Sequence, residues 1–241
     1  YSLYHINQNY IPGDVVEALL GDKNGNMWIG TNNYSLSKFD GKGYTNYKFY
    51  SNVNENTCLE IHENEHGLWF SYFDKHLINL QNGVFSEFRF NAADITRIFG
   101  IADNSLGMWI ADLQSGIYLV DWKNNRVESF VENKTIGGKS IYMIDSDEYG
   151  NIWAGSLMYG VFRIDNQQFS SKKTVIELKS QRIKKIIPHN GKVWYLPDGG
   201  FINIEDKQKY MSFYHDIIPG FGSKFYIYDA EIINDYRAWL A

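Results

Sequence analysis

The chain has 241 residues, of which 44% are hydrophobic and 17% aromatic, and a net charge of −5. The mild charge and the isolated pairs Lys172-Lys173 and Lys184-Lys185 give no basic footprint for nucleic acid. One cysteine, Cys58, excludes an intrachain disulfide and a cysteine-based metal site, and no apolar run reaches the roughly 18 residues a spanning helix needs.

Eighteen Tyr, 15 Phe and 7 Trp suit pleated, packed surfaces and favour β structure. Only 4 Pro and no low-complexity tract argue against disorder. The opening Tyr1-Ser2-Leu3-Tyr4-His5 has no basic region followed by an apolar one, so it does not read as a signal peptide. It lacks an initiator Met, and the chain is expected to be a piece of a larger protein. Asn133-Lys134-Thr135 fits a glycosylation sequon, a triplet that also arises by chance.

In chain order, residues 1–8 read as strand D of a preceding unit. Residues 15–20, 26–31, 35–40 and 44–50 then read as strands A, B, C and D of a first unit. Asp22, Asn24 and Gly25 form the A–B turn, where Asp accepts backbone N–H groups and Gly supplies positive φ. Asp40-Gly41 opens the C–D hairpin by the same logic. The pattern returns over residues 58–90, 98–130, 140–178 and 183–214. Residues 225–241 hold only strands A and B of a sixth unit. Cys58, at the start of a strand A, reads as a small buried hydrophobe.

The repeat is measured by Trp28, Trp69, Trp109, Trp153, Trp194 and Trp239, spaced 41, 40, 44, 41 and 45 apart; Trp122 lies out of register. Eight residues after Trp stand Leu36, Leu77, Ile117 and Val161, and twelve after stand Asp40, Gln81, Asp121 and Asp165. In the fifth unit Phe201 and Glu205 come one residue early. Strand B places a small residue two after Trp, on the same face: Gly30, Ser71, Ala111, Gly155 and Ala241, with Leu196 as the exception. Large beside small suits sheets that interdigitate. The structural repeat residues are Asp22, Gly25, Trp28, Trp69, Trp109, Asp147, Gly150, Trp153, Trp194 and Trp239. Asp103 is read as a third turn former beside Asp22 and Asp147.

Four strands repeating every 42 residues or so predict an all-β fold, a β-propeller of four-stranded antiparallel blades. Five full blades with partial first and last blades are expected to be part of a seven-bladed ring. A five-bladed or open arc is the alternative.

The motif Asp-x-x-Gly-Asn-(Met/Ile)-Trp-(Ile/Ala)-Gly, at Asp22 and again at Asp147, is followed by Gly-apolar-x-x-apolar-Asp in its second copy. It resembles the two-component regulator propeller repeat. The lead-in Tyr10-Ile11-Pro12-Gly13-Asp14-Val15-Val16 is similar to that family's link between blades. The resemblance covers nearly the whole chain. It implies the extracytoplasmic, periplasmic sensor of a hybrid histidine kinase of the kind found in gut Bacteroidetes. It further implies a glycan breakdown product or similar small-molecule ligand, a second propeller, and a homodimer partner in the parent receptor. The family has no shared ligand-binding motif to map onto this chain.

His62 and His66 stand four apart among Glu60, Glu63 and Glu65. On a helix that spacing would suggest a metal site. On a strand and its turn the two should not converge, so no metal is expected. No phosphate loop, Ser-hydrolase elbow or catalytic carboxylate pair stands out, and no catalytic residue or cofactor is expected.

The B–C loops break the repeat, and loops on a rigid scaffold carry binding. Their candidates for ligand contact are Asn32, Asn33, Tyr34, Tyr72, Asp74, Gln114, Tyr159 and Asp198. Aromatic faces beside amides and carboxylates suit an oligosaccharide. The reading is a noncatalytic ligand sensor. The alternatives are a protein-interaction scaffold with one large aromatic patch, and a propeller lyase or glycosidase with clustered His or carboxylates.

Overall fold

Hairpin follows hairpin along the chain in the computed structural model. It describes residues 4–6, 10–13, 15–32, 35–49, 57–73, 76–90, 95–124, 126–132, 140–157, 160–166, 175–176, 183–189, 192–197, 203–206, 209–212, 230–234 and 237–240. The first sheet holds β1 (Tyr4–Ile6), β2 (Val16–Gly21), β3 (Met27–Thr31), β4 (Ser35–Phe39) and β5 (Tyr44–Lys48). The second holds β6 (Cys58–Asn64), β7 (Gly67–Tyr72), β8 (His76–Gln81) and β9 (Val84–Arg89). The third holds β10 (Ile98–Asn104), β11 (Gly107–Asp112), β12 (Gly116–Asp121) and β13 (Arg126–Glu132). The fourth holds β14 (Ile141–Ser146), β15 (Ile152–Ser156), β16 (Gly160–Ile164) and β17 (Val175–Ile176). The fifth holds β18 (Ile183–His189), β19 (Lys192–Pro197), β20 (Asn203–Asp206) and β21 (Lys209–Ser212). A two-stranded sheet, β22 (Ala230–Asn234) with β23 (Arg237–Leu240), follows. These are antiparallel β-propeller blades, all-β as the repeat predicts. A three-residue 3-10 turn, Trp122–Asn124, follows β12.

Of residues 1–8, expected as strand D of a preceding unit, the structure describes Tyr4–Ile6. Tyr4–Ile6 pairs antiparallel with β5, matching Tyr4 to Lys48 and Ile6 to Asn46. The outer strand of a blade presents unpaired N–H and C=O groups, which template one more strand. Strand A carries a second feature absent from the pattern. Its register slips one residue near the start of β2, β6, β14 and β18, between Val16/Ala18, Cys58/Glu60, Ile141/Met143 and Ile183/Lys185. Such bulges sharpen the local twist.

The chain forms two compact units, Tyr1–Ile101 with Val120–Val127, and Ala102–Leu119 with Glu128–Ala241. In the first, Trp28, Leu36 and Phe49 pack against Cys58, Ile61, Phe70, Tyr72 and Ile78 of the second sheet. The Trp28 ring lies 5.3 Å from Phe70 and 5.8 Å from Tyr47. In the second unit, Trp109, Ala111 and Ile117 join Ile141, Ile144, Ala154 and Phe162. Trp153 and Val161 join Ile183, Ile186 and Val193. Each of these Trp residues therefore faces the blade that follows it.

The small residue two after Trp lets that next blade approach. A Cβ on Gly30 would stand 2.9 Å from the Cys58 carbonyl oxygen and 3.0 Å from its Sγ. One on Gly155 would stand 3.1 Å from Ile183. Burial holds Cys58 at 0% exposure and pushes its thiol well above the ordinary range. The apolar residues eight after Trp, Leu36, Leu77, Ile117 and Val161, are all buried.

Candidate functional site

The strand ends that carry the B–C loops are closed by a recurrent backbone bond. The residue after strand B donates its N–H to the residue before strand A: Asn32 to Val15 (3.1 Å), Phe73 to Thr57 (2.9 Å) and Leu157 to Ser140 (3.0 Å). In the first blade the clasp is doubled, because the Asn32 Oδ1 accepts the Val15 N–H at 3.2 Å. The Thr31 hydroxyl also donates to the Pro12 carbonyl at 3.0 Å. Gly13 makes this fold possible: its φ is +133°, and a Cβ there would meet Thr31 at 2.7 Å. The lead-in segment is thus stitched to the blade it introduces.

The candidate loop residues divide accordingly. Asn32 is half-buried, and its side-chain oxygen holds the clasp. Tyr72 is not a loop residue. Strand B runs on to include it in β7, and it is 0% exposed, edge-on to Phe49 at 5.6 Å. Gln114 is exposed at the loop tip, on a turn held by the buried Asp112, which accepts from the Gln114 N–H (2.9 Å), the Ser115 N–H (2.7 Å) and the Ser115 hydroxyl (2.6 Å). Asn33, Tyr34, Asp74, Tyr159 and Asp198 lie outside the described residues. Arg97, which the repeat does not mark, sets its guanidinium 4.0 Å from the ring centre of the exposed Phe73, a cation–π contact at this end of the first unit.

The opposite strand ends hold the motif turns. The Asp22 Oδ1 accepts the N–H of Asn24 (2.9 Å) and Asn26 (2.8 Å), and its Oδ2 accepts the Asn26 amide and the Trp28 indole N–H, both at 2.8 Å. Asp147 repeats this with Tyr149, Asn151 and Trp153 at 2.8–3.0 Å. Gly25 and Gly150 supply φ of +81° and +78° at these turns. Burial alone would raise the Asp22 carboxyl, but bonds from Asn26, Trp28 and the Asn24 backbone outweigh it and hold it below its ordinary value.

Asp103 does not play this part. In the third blade Asn104 accepts the Leu106 N–H (2.9 Å) and the Trp109 indole (2.8 Å) through Oδ1. Asn64 does the same for His66 (2.8 Å) and Trp69 (3.0 Å). These turns are one residue shorter, so the acceptor moves one place nearer the Trp. Nearby, His62 lies within β6 while His66 sits on the turn with its ring 4.7 Å from Trp122. Among the described residues no group of three or more His, Cys, Asp or Glu could hold a metal.

On this turn side of the first unit lies a cleft of about 370 Å³, between the A–B turn of the first blade and both turns of the second. Amides line it together with the charged Asp22, Lys23, Lys38, Glu63 and Glu65 and the apolar Trp28, Leu68 and Leu80. Lys23 crosses one edge, with its Nζ 3.4 Å from Glu63 and its N–H donating to Glu63 Oε2 at 2.9 Å.

The clasped lead-in, strand A, the Asp22 turn and strand B together form one contiguous segment. Residues 10–33 match the family model described as two component regulator propeller. No curated protein matches the chain. Among solved structures, the extracellular domain described as that of a hybrid two component system from B. thetaiotaomicron matches with a TM-score of 0.74 at 17% identity, over 96% of this chain and 33% of that one. A second such domain from B. thetaiotaomicron matches at 0.56 and 15% identity, over 98% and 38%. Virginiamycin B lyase from Staphylococcus aureus matches at 0.69 and 14% identity, over 88% and 73%. At these identities each likeness is one of fold. The chain spans about one third of the length of the first of these structures.

Proposed function

We propose that this chain is a propeller portion of the extracytoplasmic sensor of a two-component receptor, and that the sensor binds a glycan-derived small molecule without turning it over. One observation carries the reading. The two component regulator propeller match at residues 10–33 falls on a blade whose link, turn and indole are joined by hydrogen bonds into one built unit. The likeness to extracellular domains of B. thetaiotaomicron two component systems supports the placement outside the cytoplasm. No helix among the described residues is long and apolar enough to cross a membrane. In the parent receptor a ligand would act by favouring one arrangement of paired sensors over another, with a second propeller and a dimer partner completing the signal path.

Calorimetry on the extracytoplasmic region of the parent protein tests this. Heat is expected with at least one oligosaccharide that also induces the receptor's target genes, and product analysis should find that sugar unchanged. No heat with any inducing sugar would remove direct sensing, and its cleavage would replace a sensor with an enzyme.

A further inference from the structure

Two places on the turn side of the first unit are built from equivalent positions but filled differently. After β12, Trp122 opens the C–D hairpin of the third blade and lays its ring 4.7 Å from His66 and 6.4 Å from Trp69. That indole is half-buried and caps the turn side of the second blade. One blade earlier, Trp28 stands for Trp69, Asn24 for His66 and Asn82 for Trp122. Asn82 and Gly83 form a two-residue hairpin with φ of 52° and 78°, and bring no ring there. The space an indole fills in one is the 370 Å³ cleft in the other.

We propose that this cleft is a saccharide subsite, an assignment that rests on the sensor reading and locates its ligand. Its volume falls within the roughly 300–1,000 Å³ of small-molecule sites. The lining has the composition a pyranose needs. Leu80 gives an apolar wall for the C–H face, while Asn24 and Gln81 offer amide donors and acceptors to hydroxyls. Lys38 adds an ammonium 5.9 Å from the Trp28 ring centre. Of the three lining acids, two are engaged within the protein, while Glu65 is largely exposed, with Oε1 3.4 Å from His66 Nε2. Both Asp22 oxygens accept bonds of its own turn, and Glu63 is held by Lys23. The cleft therefore presents amides, an ammonium and one solvent-exposed carboxylate beside an apolar wall, a mixed lining that suits a polyhydroxylated ring.

The Trp28 indole N–H gives a direct readout, with the identically bonded Trp153 as an internal control. The full chain, labelled with ¹⁵N, is titrated with the mono- and disaccharide units of cellulose, starch, xylan, pectin and glycosaminoglycans. The same titrations are run on Asn24→Trp, which puts an indole into the cleft, and on Gln114→Ala at the loop side. Asn24→Trp should fold, because the exposed Tyr149 occupies the equivalent turn position in the fourth blade. Lys38→Ala provides a second variant, read by the same signals.

At least one sugar should shift the Trp28 signal and not that of Trp153. Asn24→Trp and Lys38→Ala should each lose about tenfold or more in affinity, with Gln114→Ala unchanged. Binding that leaves Trp28 unmoved and survives both cleft variants would overturn the cleft assignment while the sensor reading stood. Silence of the unmodified chain across the whole panel would overturn the cleft assignment alone, since the sensor reading is decided by calorimetry on the parent's extracytoplasmic region.

Discussion

The first and fourth blades hold their tryptophan with an aspartate, the second and third with an asparagine. In the aspartate turns the labour is divided. One oxygen of Asp22 or Asp147 accepts the backbone of the turn, and the other accepts the indole six residues on. In the asparagine turns one oxygen of Asn64 or Asn104 accepts both, and the indole is five residues on. The extra residue in the longer turn carries the indole beyond the oxygen that organises the backbone. Turn length therefore decides which side chain can do the work: two separated donors need two acceptors, and a carboxylate is the short side chain that has them.

The comparison can be broken by mutation, and the largest effect should come from removing the acceptors. Asp22→Ala leaves the Trp28 indole, the Asn24 and Asn26 N–H groups and the Asn26 amide without their acceptor. At about 1–3 kcal/mol for each buried group left unsatisfied, and with water reaching the exposed ones, a net loss of about 3 kcal/mol is expected. Asn64→Ala, which strips a backbone N–H and the indole, should lose about half as much. Urea midpoints measured side by side decide it, and equal losses would mean that the second aspartate oxygen contributes nothing.

Exchange is the sharper test. Asp22→Asn should cost about 1–2 kcal/mol, since an amide nitrogen cannot accept the indole proton. Asn64→Asp keeps the oxygen that makes both bonds and adds only charge beside Glu63 and Glu65, so its cost should be smaller, within about 1 kcal/mol. The reverse order in thermal or urea melts would sink the account of turn length.

The buried thiol offers a local view of the same difference. Cys58 is sealed where the second blade meets Gly30 of the first. Thiol labelling in native buffer should be slow in the unaltered chain and at least tenfold faster in Asp22→Ala, following the opening of that junction. An unchanged rate would show that the turn does not guard it.

The smallest effect expected is on pH. The Asp22 carboxyl lies below its ordinary 3.8 in the folded chain, so its contribution is present above that value and is lost as pH falls through the folded one. The stability gap between the unaltered chain and Asp22→Asn should therefore be constant from neutral pH to about pH 4 and narrow below it. A gap that widens in acid would contradict the hydrogen bonds assigned to the carboxylate.

Much of the blade was legible because packing repeats its demands. Trp28, Trp109 and Trp153, the small residues beside them and the apolar residues eight places on recur since each blade must meet the next in the same way. Asp103 was misread because an acceptor can shift one place when a turn shortens, and an amide serves as well as an acid. Tyr72 was misread because strand B outran its pattern by one residue into the core. The strand bulges left no mark, since a slipped register is a backbone event that most side chains tolerate. The cleft was invisible for a plainer reason: it is made by the ring that Asn82 and Gly83 do not supply, and a motif search counts what is present.

The backbone bond that ties the residue after strand B to the residue before strand A has a consequence for how such a scaffold can diversify. It sits at the mouth of the B–C loop in the first, second and fourth blades, and joins two segments next to paired strands of one sheet. An insertion beyond Asn32, Phe73 or Leu157 starts outside that lock, which resists a pull on the register of strand B. The loops can therefore differ in length from blade to blade while the sheet beneath them keeps its pairing.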